Sequence, residues 1–503
     1  MDPAVKLLLE HGDEVTDITP EEFERVRKKI DWHLLPLLFL LYMIQFADKV
    51  SLGSSAVLGL RTDTHLNATQ YNMLGTVFYI GYLAFVWPQN ILLQRFPVAR
   101  VLTTNIFIWA LSLTLHSACK NFGGLLVLRL MLGACEGCVT AGFLITTSQF
   151  YLKSEQAQRV GWWFLFNGTA QCFIGLMAYG VLHIHAGGWM PWRWFCIILG
   201  LLTFITATLF LFFFPSNPAT ARFLTTREKV VAIKRIAENQ TGTENKQWKM
   251  YQFVEALKEP VIWIFFLFSF LDNIPNSLTN QSSIIINSMG FTVLQTTLLG
   301  IPSGVIEILT ILSGVTIIRY FKNGRAFVSV VYFIPNIVGC CLLLALPESN
   351  QTGRLISLYV TGVGTTGFVI ALGWCSTAVA GHTKKTTFNA INLIGYCLGN
   401  IVGPLMWLEK YKPMNKVPWS VITACYTICP MLLLCIRFIL QRENARRDAL
   451  QSSQPSTATT AEEVVLKLDG GRADSEKGQI TAKIDTAFLD LTDRENINFR
   501  YPL

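Results

Sequence analysis

Apolar residues along this chain gather into twelve stretches of about twenty, at roughly 33–58, 71–93, 100–119, 124–148, 160–183, 191–214, 260–287, 293–318, 326–346, 354–379, 386–408 and 418–440. A helix rises about 1.5 Å per residue and the hydrocarbon core of a bilayer is about 30 Å thick, so each stretch can cross once. The pattern predicts an all-α polytopic membrane protein with twelve transmembrane helices.

Composition agrees: of 503 residues, 51% are hydrophobic and 15% charged, with mean hydropathy +0.41. Residues 1–30 are polar and place Arg25, Arg27, Lys28 and Lys29 directly before the first stretch, so no cleavable signal is visible and the first span acts as its own. Lys and Arg are retained on the cytoplasmic side, which puts both termini inside. Arg95 and Arg100, Lys153 and Arg159, Arg319 and Arg325, and Lys384 and Lys385 fall in loops on that same side. Lys410, Lys412 and Lys416 dissent, in the last outer loop. The sequons at Asn67 and Asn350 lie in loops this topology places outside, where glycosylation is expected.

The net charge of +8 is spread over inner loops and tails, as retention of positive charge requires, and argues against a nucleic-acid partner. The twelve cysteines sit almost wholly in apolar spans without metal-ligand spacing and read as small buried hydrophobes. No cofactor is expected beyond the proton as a coupling ion, and no nucleophile and base pairing suggests an enzyme.

A constant offset divides the chain in two. Adding 224 carries Asp48 onto Asp272 and Arg95 onto Arg319, and adding 225 carries the Thr140–Ile145 segment onto Thr365–Ile370 and Arg100 onto Arg325. The expected organisation is a cytoplasmic N-terminal segment 1–30, six-helix bundles 31–215 and 259–440, a cytoplasmic central loop 216–258 and a disordered cytoplasmic tail 441–503. Residues 1–30 are also open to a short helix along the inner surface. Two parallel six-helix repeats resemble the plan of the major facilitator superfamily, whose substrates bind near the midplane between halves.

Charges within the spans point to the chemistry. Asp48 and Lys49 lie in the first span, Arg129 and Glu136 in the fourth, and a charge at bilayer depth costs roughly 2.5–3.5 kcal/mol even on insertion scales. Arg129 and Glu136 are two turns apart, about 10 Å along one helix face. Lys49 and Arg129 are expected to be neutralised by Asp48 and Glu136, directly or through water. A substrate carboxylate would compete for the Arg129 guanidinium, which suits a planar anion, and Glu136, losing its partner, would take up a proton. The bland alternative is a structural ion pair locking helices. Tyr42 and Tyr79 are further cavity candidates. Asn273, Asn276 and Asn280 form a polar run broken by Pro275, which either lines a cavity or satisfies backbone freed by the proline. Asp272 and Glu307 are weaker candidates.

Several segments resemble the fungal allantoate-permease branch of the anion:cation symporter family over about residues 31–440: Asp31-Trp-His-Leu-Leu-Pro-Leu-Leu38, Gln45-Phe-Ala-Asp-Lys49, Asn273-Ile-Pro-Asn276, Ser283-Ile-Ile-Ile-Asn287, Gly381-His-Thr-Lys-Lys-Thr-Thr387 and Asn392-Leu-Ile-Gly-Tyr-Cys-Leu-Gly-Asn400. The resemblance implies proton-coupled import of a small organic anion such as allantoate, nicotinate or pantothenate, by a monomer in the plasma membrane. It also implies proton coupling at Asp48 and Glu136 and anion binding at Lys49 and Arg129. An efflux or exchange carrier for a fungal metabolite, or a nutrient sensor that does not transport, remain as alternatives.

Overall fold

The computed structural model describes residues 7, 18–184, 187–237, 248–321, 323–375, 377–452, 492–496 and 499–503. Among the described residues, twelve helices long and apolar enough to cross a membrane match the twelve stretches: α1 Pro20–Asp63, α2 Ala68–Arg95, α3 Val98–His116, α4 Phe122–Phe150, α5 Gly161–Val181, α6 Pro191–Phe213, α7 Pro260–Ser288, α8 Val293–Ile318, α9 Arg325–Ala345, α10 Gln351–Cys375, α11 His382–Met406 and α12 Lys416–Ser452. An even number of crossings returns the chain to its starting side. The end carrying Pro20 and Ser452 is called here the terminal end, and the opposite one the far end.

Helix boundaries follow local chemistry more than hydropathy. The Thr19 side chain accepts a hydrogen bond from the Glu22 amide at 3.2 Å and Pro20 opens the helix, so α1 begins well before its apolar run. Residues 20–30 therefore extend α1 rather than form a separate surface helix, and residues 8–17 lie outside the described residues. At Pro275 the helix cannot continue its hydrogen bonding, and α7 passes through a 3-10 turn, Pro275–Ser277, before resuming at Leu278.

Each half has its own apolar core. One runs from Val26 to Ala232 and includes Trp109, Phe143 and Trp163. The other runs from Ala256 to Tyr501 and includes Phe265, Phe333 and Trp374. The expected central loop holds two helices, Thr226–Ala237, with Val230 and Val231 in the first core, and Met250–Lys258, with Ala256 in the second. Lys29 pairs with Glu228 at 2.7 Å and ties the first of these helices to α1.

The expected disordered tail is ordered at both ends. α12 continues to Ser452, and residues 492–496 and 499–503 are seated against the second half, with Tyr501 in its core. Residues 453–491, where most of the expected disorder falls, lie outside the described residues.

The halves meet along a seam at the far end. Tyr71 Oη donates to the Asn280 carbonyl at 2.8 Å, Thr76 Oγ1 to the Ile401 carbonyl at 3.0 Å, and Gln281 Nε2 to Asn72 Oδ1 at 2.8 Å. Arg61 and Glu409 form an ion pair there at 3.7 Å. Deeper in, the α5 and α8 backbones touch at Gly168 and Gly304, where a Cβ on either residue would strike the other's carbonyl oxygen.

Candidate functional site

The four intramembrane charges converge between α1, α3 and α4. Asp48 is fully buried, and its carboxylate accepts from Trp109 Nε1 at 2.7 Å and from Ser51 Oγ at 3.3 Å. Lys49, one residue on and about 100° around the helix, points elsewhere: its Nζ lies 3.8 Å from Glu136 Oε2. Gln45 Nε2 reaches the Glu136 carbonyl at 3.5 Å. Lys49 keeps 17% of its side chain exposed while Glu136 keeps none, so the lysine head is the accessible member of that pair.

The ion pair in this cluster is thus Lys49 with Glu136, and Arg129 lies beside it without joining it. Arg129 is 5% exposed, its Nε is buried without a hydrogen-bond partner, and no carboxylate lies within ion-pair distance of it among the described residues. Both Glu136 carboxylate oxygens are also buried without an N–H or hydroxyl donor, and the carboxyl lies against that of Asp48, where a single proton would bridge the two. A permanent cation and a carboxylate left short of partners in an apolar interior are costly unless a ligand, water or proton completes them.

The second half supplies a polar and aromatic wall. Asn276 Nδ2 donates to Asn400 Oδ1 at 2.6 Å and approaches Tyr79 Oη of α2 at 3.5 Å. Asn400 Nδ2 donates to Asn273 Oδ1 at 3.1 Å, and Asn273 donates to the Ser269 carbonyl of its own helix at 2.7 Å. Tyr396 of α11 packs edge-on to Tyr79, with centroids 6.1 Å apart, and lies 6.5 Å from Tyr82. Tyr42 is buried against Trp163 and Phe164, with centroids at 4.8 and 5.5 Å.

Other candidates lie elsewhere. Asn280 belongs to the far-end seam, where its carbonyl holds Tyr71. Glu307 accepts from Gln171 Nε2 at 2.5 Å across the seam between α5 and α8. Asp272, the repeat mate of Asp48, neighbours Cys425, Tyr426 and Cys429 of α12 and forms no ion pair among the described residues. Asn67 and Asn350 are exposed at the far end, and each caps a helix through its side-chain oxygen, taking the Gln70 amide at 2.8 Å and the Gly353 amide at 2.9 Å. Trp109, Gln45, Tyr82, Tyr396, Asn400 and Gln171 complete these networks without standing out as site residues in the sequence. Gln45, Tyr396 and Asn400 carried a signal only as members of quoted motifs.

A family model described as Major Facilitator Superfamily matches residues 38–404. The chain is 33% identical to the allantoate permease of Saccharomyces cerevisiae over 518 residues, covering 100% of this chain and 90% of that protein. The high affinity cysteine transporter of the same yeast is 30% identical over 507 residues, covering 100% of this chain and 95% of that one. The xylose transporter XylE from E. coli, in an inward open conformation, shares the fold with TM-score 0.62 at 12% identity over 80% of this chain and 95% of that chain.

Proposed function

From the premise that this chain belongs to the Major Facilitator Superfamily and is a membrane transporter rather than an enzyme, we propose that it imports a small organic anion together with protons. The observation that carries this reading is Arg129, a buried guanidinium with an unpartnered Nε beside a lysine–carboxylate pair. A planar carboxylate would complete its hydrogen bonding bidentately. Lys49, the more accessible cation, would take a second oxygen or meet the anion first.

Charge neutrality supplies the coupling. Asp48, Lys49, Arg129 and Glu136 sum to zero, so an added monoanion leaves one uncompensated negative charge in a dry site. A proton taken up by Glu136 restores neutrality and releases Lys49 to the anion. Binding of proton and of anion then favour each other equally, as linkage requires. Similarity to allantoate permease supports an anion of that size and chemistry, among allantoate, nicotinate, pantothenate and related carboxylates.

With the terminal end cytoplasmic, as its basic loops suggest, the seam closes the outer side and this arrangement faces inward. The plasma membrane is the site that import from the medium requires. The test is accumulation of labelled carboxylates in cells expressing the protein, at acidic and neutral external pH, with Glu136→Gln alongside. Acid-stimulated accumulation of one anion, with the acid stimulation lost in the variant, is the expected result. Equal accumulation at both pH values would remove the proton from the reading.

A further inference from the structure

Positive charge gathers in the last far-end loop, against the retention of Lys and Arg on the terminal side. Lys410, Lys412 and Lys416 lie there, between α11 and α12, and Arg61 meets the loop from the end of α1 in the other half. Glu409 Oε1 takes Lys412 Nζ at 2.8 Å, and its Oε2 lies 3.7 Å from Arg61 Nη2. One carboxylate therefore spans two cations that belong to different halves. The Lys412 ammonium bonded to it, with Arg61 beyond, holds the Glu409 carboxyl below its ordinary value, so it stays ionised in an acidic medium.

Arg61 is not filled by this contact. At 3.7 Å Glu409 is too distant for a hydrogen bond, and Arg61 Nε is buried without a hydrogen-bond partner. The guanidinium lies over the Tyr71 ring, 5.8 Å from its centroid, and Tyr71 in turn donates across the seam to the Asn280 carbonyl at 2.8 Å. A narrow cleft is lined by Arg61, Tyr71 and Asn72 of one half and by Gln281, Trp407 and Lys412 of the other. Its two walls are joined by seam bonds: Gln281 Nε2 donates to Asn72 Oδ1 at 2.8 Å, and Asn72 Nδ2 to the Trp407 carbonyl at 2.5 Å. The cleft thus carries two cations, and Glu409, 63% exposed, is the carboxylate that holds them.

An ion pair this exposed holds weakly against water and salt, so a dissolved carboxylate can trade places with Glu409. In the Arg61 fork it would make two parallel hydrogen bonds, which Glu409 does not make from across the seam. Arg61 then no longer ties the first half to the second. The arriving anion and the seam-closing contact compete for one guanidinium, so the anion favours the open seam by its differential affinity for the two states.

We propose that Arg61 and Lys412 form an outer capture site for a small carboxylate, which Glu409 occupies as a tethered stand-in while the seam is closed. The site reads the carboxylate group alone. Lys410 and Lys416, on either side of the Glu409–Lys412 pair in sequence, raise the concentration of anions around it. The proposal rests on the reading of this chain as an importer of organic anions whose far end faces the medium, and it adds the step by which an anion outside unlatches the carrier for loading.

The test is hydrogen exchange of the full chain in lipid nanodiscs with sodium acetate, against sodium chloride at equal ionic strength. In the parent, acetate should speed exchange at the seam segments 71–76 and 278–284 about two- to fivefold and leave residues 98–116, within the first bundle, unchanged. Glu409→Gln, at an exposed position, should speed the same segments without acetate, and acetate should then add nothing. Arg61→Gln should loosen the seam likewise and abolish the acetate effect. A parent indifferent to acetate, a seam unmoved by Glu409→Gln, or an acetate effect that persists in Arg61→Gln would overturn the proposal. If Arg61→Gln does not assemble, Lys412→Gln takes its place: the acetate needed for half the effect should rise, and an unchanged requirement would sink the site. None of these readouts needs transport. Unlatching by acetate without accumulation of any labelled carboxylate would leave this site standing and fail the importer, and accumulation without an acetate effect would do the reverse.

Discussion

Trp109 is the residue on which Asp48 depends. Both are fully buried, and the indole gives Asp48 its shorter hydrogen bond. Trp109→Phe keeps most of the bulk and removes the donor, leaving the carboxyl with Ser51 at 3.3 Å. A buried group deprived of its partner costs about 1–3 kcal/mol, so a lower unfolding temperature and reduced uptake are expected. An unfolding temperature equal to the parent's would mean that the bond contributes nothing. Arg129→Lys tests the anion site itself: a point charge replaces the bidentate fork, and the KM for the transported anion should rise about tenfold, or ~1.4 kcal/mol. An unchanged KM would take Arg129 out of the binding site. The four charges were legible in the sequence because each is an anomaly at bilayer depth. Trp109 was not, because an indole in an apolar span reads the same whether it faces lipid or holds a carboxylate. The partner of Glu136 was not legible either, since spacing along α4 names Arg129 and only the reach of a side chain from α1 brings in Lys49.

At the scale of helices, glycine decides how closely pairs approach, and two positions separate folding from alternation. A Cβ at Gly133 of α4 would strike the Phe78 carbonyl of α2, inside one bundle. One at Gly168 of α5 would strike the Gly304 carbonyl of α8, across the seam. Overpacking within a bundle costs about 1–3 kcal/mol in every state of the transporter, whereas overpacking at the seam costs only in the closed-seam state. Gly133→Ala should therefore lower the amount of folded protein, while Gly168→Ala should leave abundance near normal and increase labelling of a reporter cysteine placed at Thr76, which the closed seam buries. Equal loss of abundance in both would show that the seam is needed for folding. Helix existence was legible and helix length was not. Hydropathy reports the portion of a helix that sits in lipid, so 33–58 and 418–440 mark the apolar middles of Pro20–Asp63 and Lys416–Ser452. The remainder of each continues into water, where Thr19 caps the start of the first and the tail at Tyr501 packs along the second.

For the whole molecule, the offset of 224 to 225 residues foretold two bundles, and the separate cores ending at Ala232 and starting at Ala256 agree with it. Which end is shut was beyond reach, because the seam is made by pairs such as Tyr71 with Asn280 and Gln171 with Glu307, far apart in sequence and ordinary in type. Orientation is testable through the two far-end sequons. If the far end faces outward, Thr69→Ala and Thr352→Ala should each remove one glycosidase-sensitive mobility shift. A glycan acquired instead at a sequon introduced after Ser452 would reverse the orientation. The choice of threonine follows from the helix caps at Asn67 and Asn350. An N-linked sugar is joined through the side-chain nitrogen of asparagine, leaving the oxygen to accept the amide of the third helical residue. Replacing the asparagine by glutamine, the customary control, would strip the sugar and unfasten the helix in one step, so a trafficking defect in such a variant could be blamed on a missing oligosaccharide when a loosened helix had caused it.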